Sequence, residues 1–173
     1  MYLLMIILRL IHIFAGVFWA GTSLLLAGFV EPSVRSLGDE GGRFMQRLTG
    51  PSRLPTFMNL AAILSSIAGA ILYWIISGGL SLSWMTSAPG VGLSIGAVAA
   101  AGAFVSGHVI QARSASRVAS LGREIQSQGG LPSSSQLMEM QNLQARLRRG
   151  GVLGAVLLSI AVIGMAIARY LYF

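Results

Sequence analysis

The sequence contains no cysteine and no lysine, and only five of its 173 residues are acidic. Without thiols there is no disulfide, no thiolate nucleophile and no cysteine-held metal. Charged residues make up 10% of the chain, against roughly 25% in ordinary soluble domains. The acids (Glu31, Asp39, Glu40, Glu124 and Glu139) all lie outside the apolar runs, so no pair of carboxylates is available within those runs for general acid–base work. The chain also lacks a nucleophile elbow, a phosphate-binding glycine loop and a histidine pair at metal spacing.

What remains is largely apolar. Hydrophobic residues are 54% of the chain and the mean hydropathy is +0.74. Four runs are long enough for a hydrocarbon core, which takes about 20 residues: Leu3 to Val30, Pro55 to Ser77, Ala88 to Ile110 and Gly151 to Tyr170. They lack the alternation of a membrane β-barrel, and helices satisfy their own backbone groups in lipid. The expected fold is therefore all-α, a single membrane domain over residues 1–173 built as a four-helix bundle. The first run has no basic residues before it and no evident cleavage site, so it reads as a retained helix.

The basic residues, all 12 of them arginine, are unevenly placed. Arg35, Arg43, Arg47 and Arg53 lie between the first two runs. Arg113, Arg117, Arg123, Arg146, Arg148 and Arg149 lie between the last two, whereas the connection from Gly78 to Pro89 is uncharged. By the positive-inside rule this predicts a bacterial inner-membrane protein with both termini outside. The net charge of +7 is then an orientation signal, and nucleic acid is not an expected partner. Glu31-Pro32 is expected to end or bend the first helix. Glu31 and Arg35, like Asp39 and Arg43, stand four apart, a spacing for helical ion pairs. From Gln111 to Arg149, two apolar stripes (Val118, Leu121, Ile125; Leu137, Met140, Leu143, Leu147) flank Gly129-Gly130. Ser133 and Gln136 have capping-box spacing. A cytoplasmic helical hairpin extending the third and fourth helices is expected there.

Titratable side chains inside a span are costly and mark sites by default. Arg9, His12, Gly16 and Trp19 share one helix face. Counting from Glu31 at 1.5 Å per residue puts His12 about 28 Å towards the outer side. Met165 and Arg169 reach a similar height on the fourth helix, and Tyr73 closes the second. These residues form the expected site, near the outer face. An imidazole, two arginines and aromatic walls suit a haem b or related porphyrin: His12 as axial ligand, Arg9 and Arg169 on the propionates, Met165 as a second ligand. Trp19, about 10 Å below His12, is a pocket wall or core. His108 lies near the inner boundary, either a second metal site or a cap of the bundle beside Gln111. Copper is the alternative cofactor, held by Met1, Met5 and His12, since thioethers suit Cu(I).

The pattern Arg9-x-x-His12, then six residues, then Trp19-x-Gly21 at the start of a first membrane helix resembles the copper-resistance-protein-D-like superfamily. That grouping is similar to the HemJ-type protoporphyrinogen oxidases and to several bacterial four-helix families. The resemblance is clearest over residues 5–31 and implies porphyrin or haem binding at the position of His12. HemJ-type proteins also use a lysine in the third helix, a residue type this chain lacks. The expected function is electron transfer or porphyrin handling, with a quinone or other redox partner. A copper transport or tolerance protein is one alternative. Another is a non-catalytic subunit that meets a second copy or a membrane complex through the hairpin.

Overall fold

The computed structural model describes residues 2–50 and 52–171, Asp39 by its backbone alone. All regular structure among them is helical. The elements are α1 (Tyr2–Ser36), α2 (Asp39–Thr49), α3 (Leu54–Ile76), α4 (Leu82–Met85), α5 (Ala88–Ser127) and α6 (Ser134–Tyr170). Four of these, α1, α3, α5 and α6, are long and apolar enough to cross a membrane. The four apolar runs of the sequence predict them.

Lengths differ in an informative way. With 23 residues, α3 rises about 35 Å, close to one hydrocarbon thickness. The 35, 40 and 37 residues of α1, α5 and α6 rise about 52, 60 and 55 Å. The excess lies at the arginine-rich end in all three. There α1 folds into α2 through Gly38, whose φ of 56° suits glycine. The return is tight: a Cβ on Gly41 would lie 1.9 Å from the Val34 carbonyl oxygen.

The helix does not end at Glu31-Pro32. The helix runs on to Ser36, but its Leu26–Val30 segment is π-helical. Pro32 has no N–H to donate, and its ring crowds the carbonyl four residues back. A wider turn just before it relieves that clash, and π turns are usually such local insertions. A second π turn, Ser106–Gln111, lies in α5. The Ser133 capping box is present in full: Gln136 N–H donates to Ser133 Oγ at 3.2 Å, and Ser133 N–H to Gln136 Oε1 at 2.9 Å.

Packing is closest within two antiparallel pairs, α1 with α3 and α5 with α6, and further contacts join α3 to α5 and α6 to α1. The pairs meet at Trp19, Ala20, Ala61, Ala62, Ala103 and Leu158. Trp19 stands edge-on to Phe104, ring centres 6.4 Å apart, an arrangement that adds about 1 kcal/mol beyond area burial. Beyond the apolar spans, the Ala112–Ser127 part of α5 packs back along α6, with Leu121 only 1% exposed between them.

One ion-pair network closes this arm. Arg117 holds Glu139 in a two-pronged grip (Nε to Oε1 2.6 Å, Nη2 to Oε2 3.0 Å) and reaches Glu124 at 2.9 Å. The hydrogen bonds from Arg117 hold the Glu139 carboxyl below its ordinary range. A carboxylate depressed on folding stabilises at pH values above its unfolded range, and the contribution is lost as pH falls through the folded value. Protection factors for amides of Ala112–Ser127 should thus be level above about pH 5.5 and fall in more acid solution. Glu139→Gln should lower them at neutral pH, while amides of α3 stay unchanged. Hydrogen exchange corrected for intrinsic rates measures this, and pH-independent protection would contradict it.

Candidate functional site

His12 is a titratable group within the first span, and α3 is what positions it. His12 Nδ1 lies 2.8 Å from the Ser65 carbonyl oxygen and 3.2 Å from Ser65 Oγ. The Ser65 hydroxyl, on a residue 4% exposed, donates to the His12 carbonyl at 3.1 Å. That hydroxyl proton is committed, so its oxygen can only accept from the ring. Nδ1 therefore carries the hydrogen, donated chiefly to the Ser65 carbonyl. This leaves the Nε2 lone pair without a hydrogen-bond partner among the described residues.

Two glycines make the approach feasible. A Cβ on Gly69 would stand 2.7 Å from His12 Cε1 and 2.8 Å from Nδ1, so the imidazole rests on the α3 backbone. A Cβ on Gly16 would fall 3.1 Å from Ser65 Oγ. His12 and Gly16 on α1 thus interlock with Gly69 and Ser65 on α3, each pair one turn apart. Leu8 continues the contact against Ala68 and Leu72, with Met5 packed on that cluster.

This pairing corrects the height of the site. Ser65 is eleven residues from each end of Leu54–Ile76, so His12 is level with the middle of α3, away from its outer end. Counting along α1 alone overestimates the height, because α1 overshoots α3 at the arginine-rich end. Tyr73 is eight residues beyond Ser65, about 12 Å further along.

The remaining expected site residues, Arg9 apart, are engaged elsewhere. Tyr73 bonds Ser94 Oγ at 2.5 Å and stands edge-on to Trp84 at 5.5 Å, closing the end of α3 onto α5. Met165 is wedged where α5 and α6 meet, its Cγ 3.0 Å from where a Gly96 Cβ would be. The Arg169 guanidinium lies over the Tyr170 ring, 4.6 Å from its centre, and donates to the Tyr170 hydroxyl. Trp19 is buried in the core between the pairs. Arg9 is exposed, one turn from His12 on α1. Among the described residues, no hydrogen bond joins Arg9 or Arg169 to His12.

His108 belongs to the π turn of α5. Its Nδ1 bonds the Phe104 carbonyl at 3.1 Å and its ring stacks on Phe104 with centres 4.0 Å apart. Its Nε2 and the Ser106 hydroxyl are buried without a partner among the described residues. Gln111, close in sequence, covers Gly150 and Gly154 of α6. No group of three His, Asp or Glu side chains within metal reach occurs among the described residues. Met1 lies outside them, as does the Asp39 side chain.

Sequence reasoning placed His12 and Gly16 on one face of α1 and missed that they interlock with Ser65 and Gly69 of α3. The signal was there: a small pair spaced by four on α3 opposite a large and small pair spaced by four on α1. Comparison with protein-family models, with curated proteins and with solved structures gave no match.

The clasp makes a graded expectation. Gly69→Ala should expel the ring and cost about 1–3 kcal/mol, the usual range for overpacking. Ser65→Ala should cost about 1 kcal/mol, near the values for single hydrogen bonds between membrane helices. Gly21→Ala, with open space around it, should be neutral. Reversible unfolding in mixed micelles gives the three values, and equal costs at Gly69 and Gly21 would refute the close approach.

Proposed function

We propose that the chain is an integral membrane protein that binds a b-type haem or related porphyrin through Nε2 of His12, in electron transfer or porphyrin handling. The observation that carries this is the state of the imidazole. Its Nδ1–H is donated to a backbone carbonyl, so the tautomer and ring direction are fixed, and Nε2 has no hydrogen bond among the described residues. Imidazoles that ligate metals are typically held in this way, through the second nitrogen. When bound, the porphyrin iron would supply one-electron chemistry. His12 would hold it, and Ser65 and Gly69 would fix the plane of the ring.

Arg9, exposed one turn away, is the cation available for a propionate. Arg169 and Met165, turned to Tyr170 and Gly96, are left out of this site. Copper has less support, since Met5 packs on Leu8, Ala68 and Leu72. The setting we propose is a four-helix bundle in a bacterial inner membrane. The arginine-rich end would be cytoplasmic, with the end of α5 and the start of α6 as a hairpin on that side.

The test is the absorption spectrum of the purified protein, oxidised and then dithionite-reduced. A Soret band with a sharp reduced α-band is expected in the wild type, lost in His12→Ala. Ser65→Ala should keep the bands, because the Ser65 backbone carbonyl still accepts from Nδ1. A wild type that stays colourless after haem reconstitution, or unchanged bands in His12→Ala, would overturn the proposal. Retention in His12→Ala with loss in His108→Ala would move the site to the π turn of α5.

A further inference from the structure

The arginine-rich end carries a second feature, independent of His12. A cleft of about 520 Å³ opens between α1 and α6, lined by Ala27, Glu31, Arg35, Arg148 and Val152 together with Pro32 and Ser36. The two helices are antiparallel here, so their residues match in level. Ala27 and Val152 form an apolar floor on the side of the spans. Glu31, Arg35 and Arg148 stand beyond it, where both helices have left their apolar runs. The ion pair expected between Glu31 and Arg35 is not formed. Among the described residues, Arg117 alone makes ion pairs within 4.0 Å. Arg35 and Arg148 thus line one open cleft beside Glu31, and neither makes an ion pair among the described residues.

We infer that this cleft holds the headgroup of an anionic phospholipid, its phosphodiester on Arg35 and Arg148. Guanidinium forks match phosphate oxygens and remain charged at any pH the membrane meets. The cleft carries two positive charges and one negative, so a singly charged phosphodiester neutralises it. The graded wall, apolar below and charged above, follows the build of a lipid, with acyl chains leaving past Val152. Free phosphate would meet the same arginines but gain nothing from the apolar floor. Basic pockets between membrane helices are known to take acidic headgroups on this principle.

The experiment is native mass spectrometry of the full chain, released from micelles containing phosphatidylglycerol or phosphatidylcholine in equal amounts. One phosphatidylglycerol is expected to be retained in preference to phosphatidylcholine. Losing one arginine should weaken retention about fivefold, and Arg35→Gln with Arg148→Gln about thirtyfold, at roughly 1 kcal/mol per cation. Arg123→Gln, on the exposed arm of α5, should leave it unchanged. Val152→Trp keeps both charges and fills the floor, and should also abolish retention. Equal retention of both lipids, equal loss in Arg123→Gln, or full retention in Val152→Trp would each overturn the inference. Displacement of the lipid by inorganic phosphate alone would make this a site for the free ion, and would overturn it too.

Discussion

The contact between His12 and Ser65 sets the register of α1 on α3, and the apolar faces around it follow from that register. In lipid there is no hydrophobic force to drive two helices together, so packing and hydrogen bonds must do it. A polar pair at mid-span has few alternatives, because water is scarce and each unsatisfied group is costly. Sliding α1 by one turn would remove both bonds and drive the imidazole away from the only glycine of α3, into side chains. Gly69 is thus as much a part of the interaction as the two polar residues.

The second pair, α5 with α6, reaches the same closeness without a polar clasp. A Cβ on Gly164 would lie 3.0 Å from the Gly92 carbonyl, and one on Gly92 would lie 3.1 Å from the Ala168 Cα. The backbones touch, and dispersion over many such contacts is the attraction. The two pairs are then joined by an aromatic seam, Trp19 against Phe104 and Phe104 against His108. That seam begins at Trp19, about two turns below His12, and ends at the other histidine. The two imidazoles share one local arrangement, each with Nδ1 bound to a backbone carbonyl and Nε2 without a hydrogen-bond partner among the described residues.

Much of the frame was legible because lipid imposes simple rules. Run length and the absence of charge identify the four long helices, and the Ser133–Gln136 spacing marks where α6 starts. Pairing was harder. Arg169, Met165, Tyr73 and His12 all have similar apparent heights when each helix is measured from its own charged boundary. That measure assumes the boundaries are level, whereas α1, α5 and α6 overshoot α3. Only contact between helices removes the error, and no single-helix periodicity carries contact. Arg169 was misleading for a second reason: the neighbouring Tyr170 ring gives its guanidinium a local partner, which competes with any partner across the bundle.

The π turns explain why the charged end is built as it is. Both lie where an apolar span gives way to a polar arm, Leu26–Val30 in α1 and Ser106–Gln111 in α5, and both touch α6. The facing stretch of α6 remains regular α-helix and offers Gly150 and Gly154, against which Gln111 lies. A widened turn adds one residue and rotates everything beyond it by about 100°, one α-helical step. That rotation lets an apolar stripe follow α6 past the end of the span, as Leu121 does. Within the second of these turns the Ser106 hydroxyl and His108 Nε2 are buried without a partner among the described residues. Among the described residues, the step from span to arm in α5 thus coincides with two unpaired side-chain polar atoms, while the facing stretch of α6 stays regular α-helix.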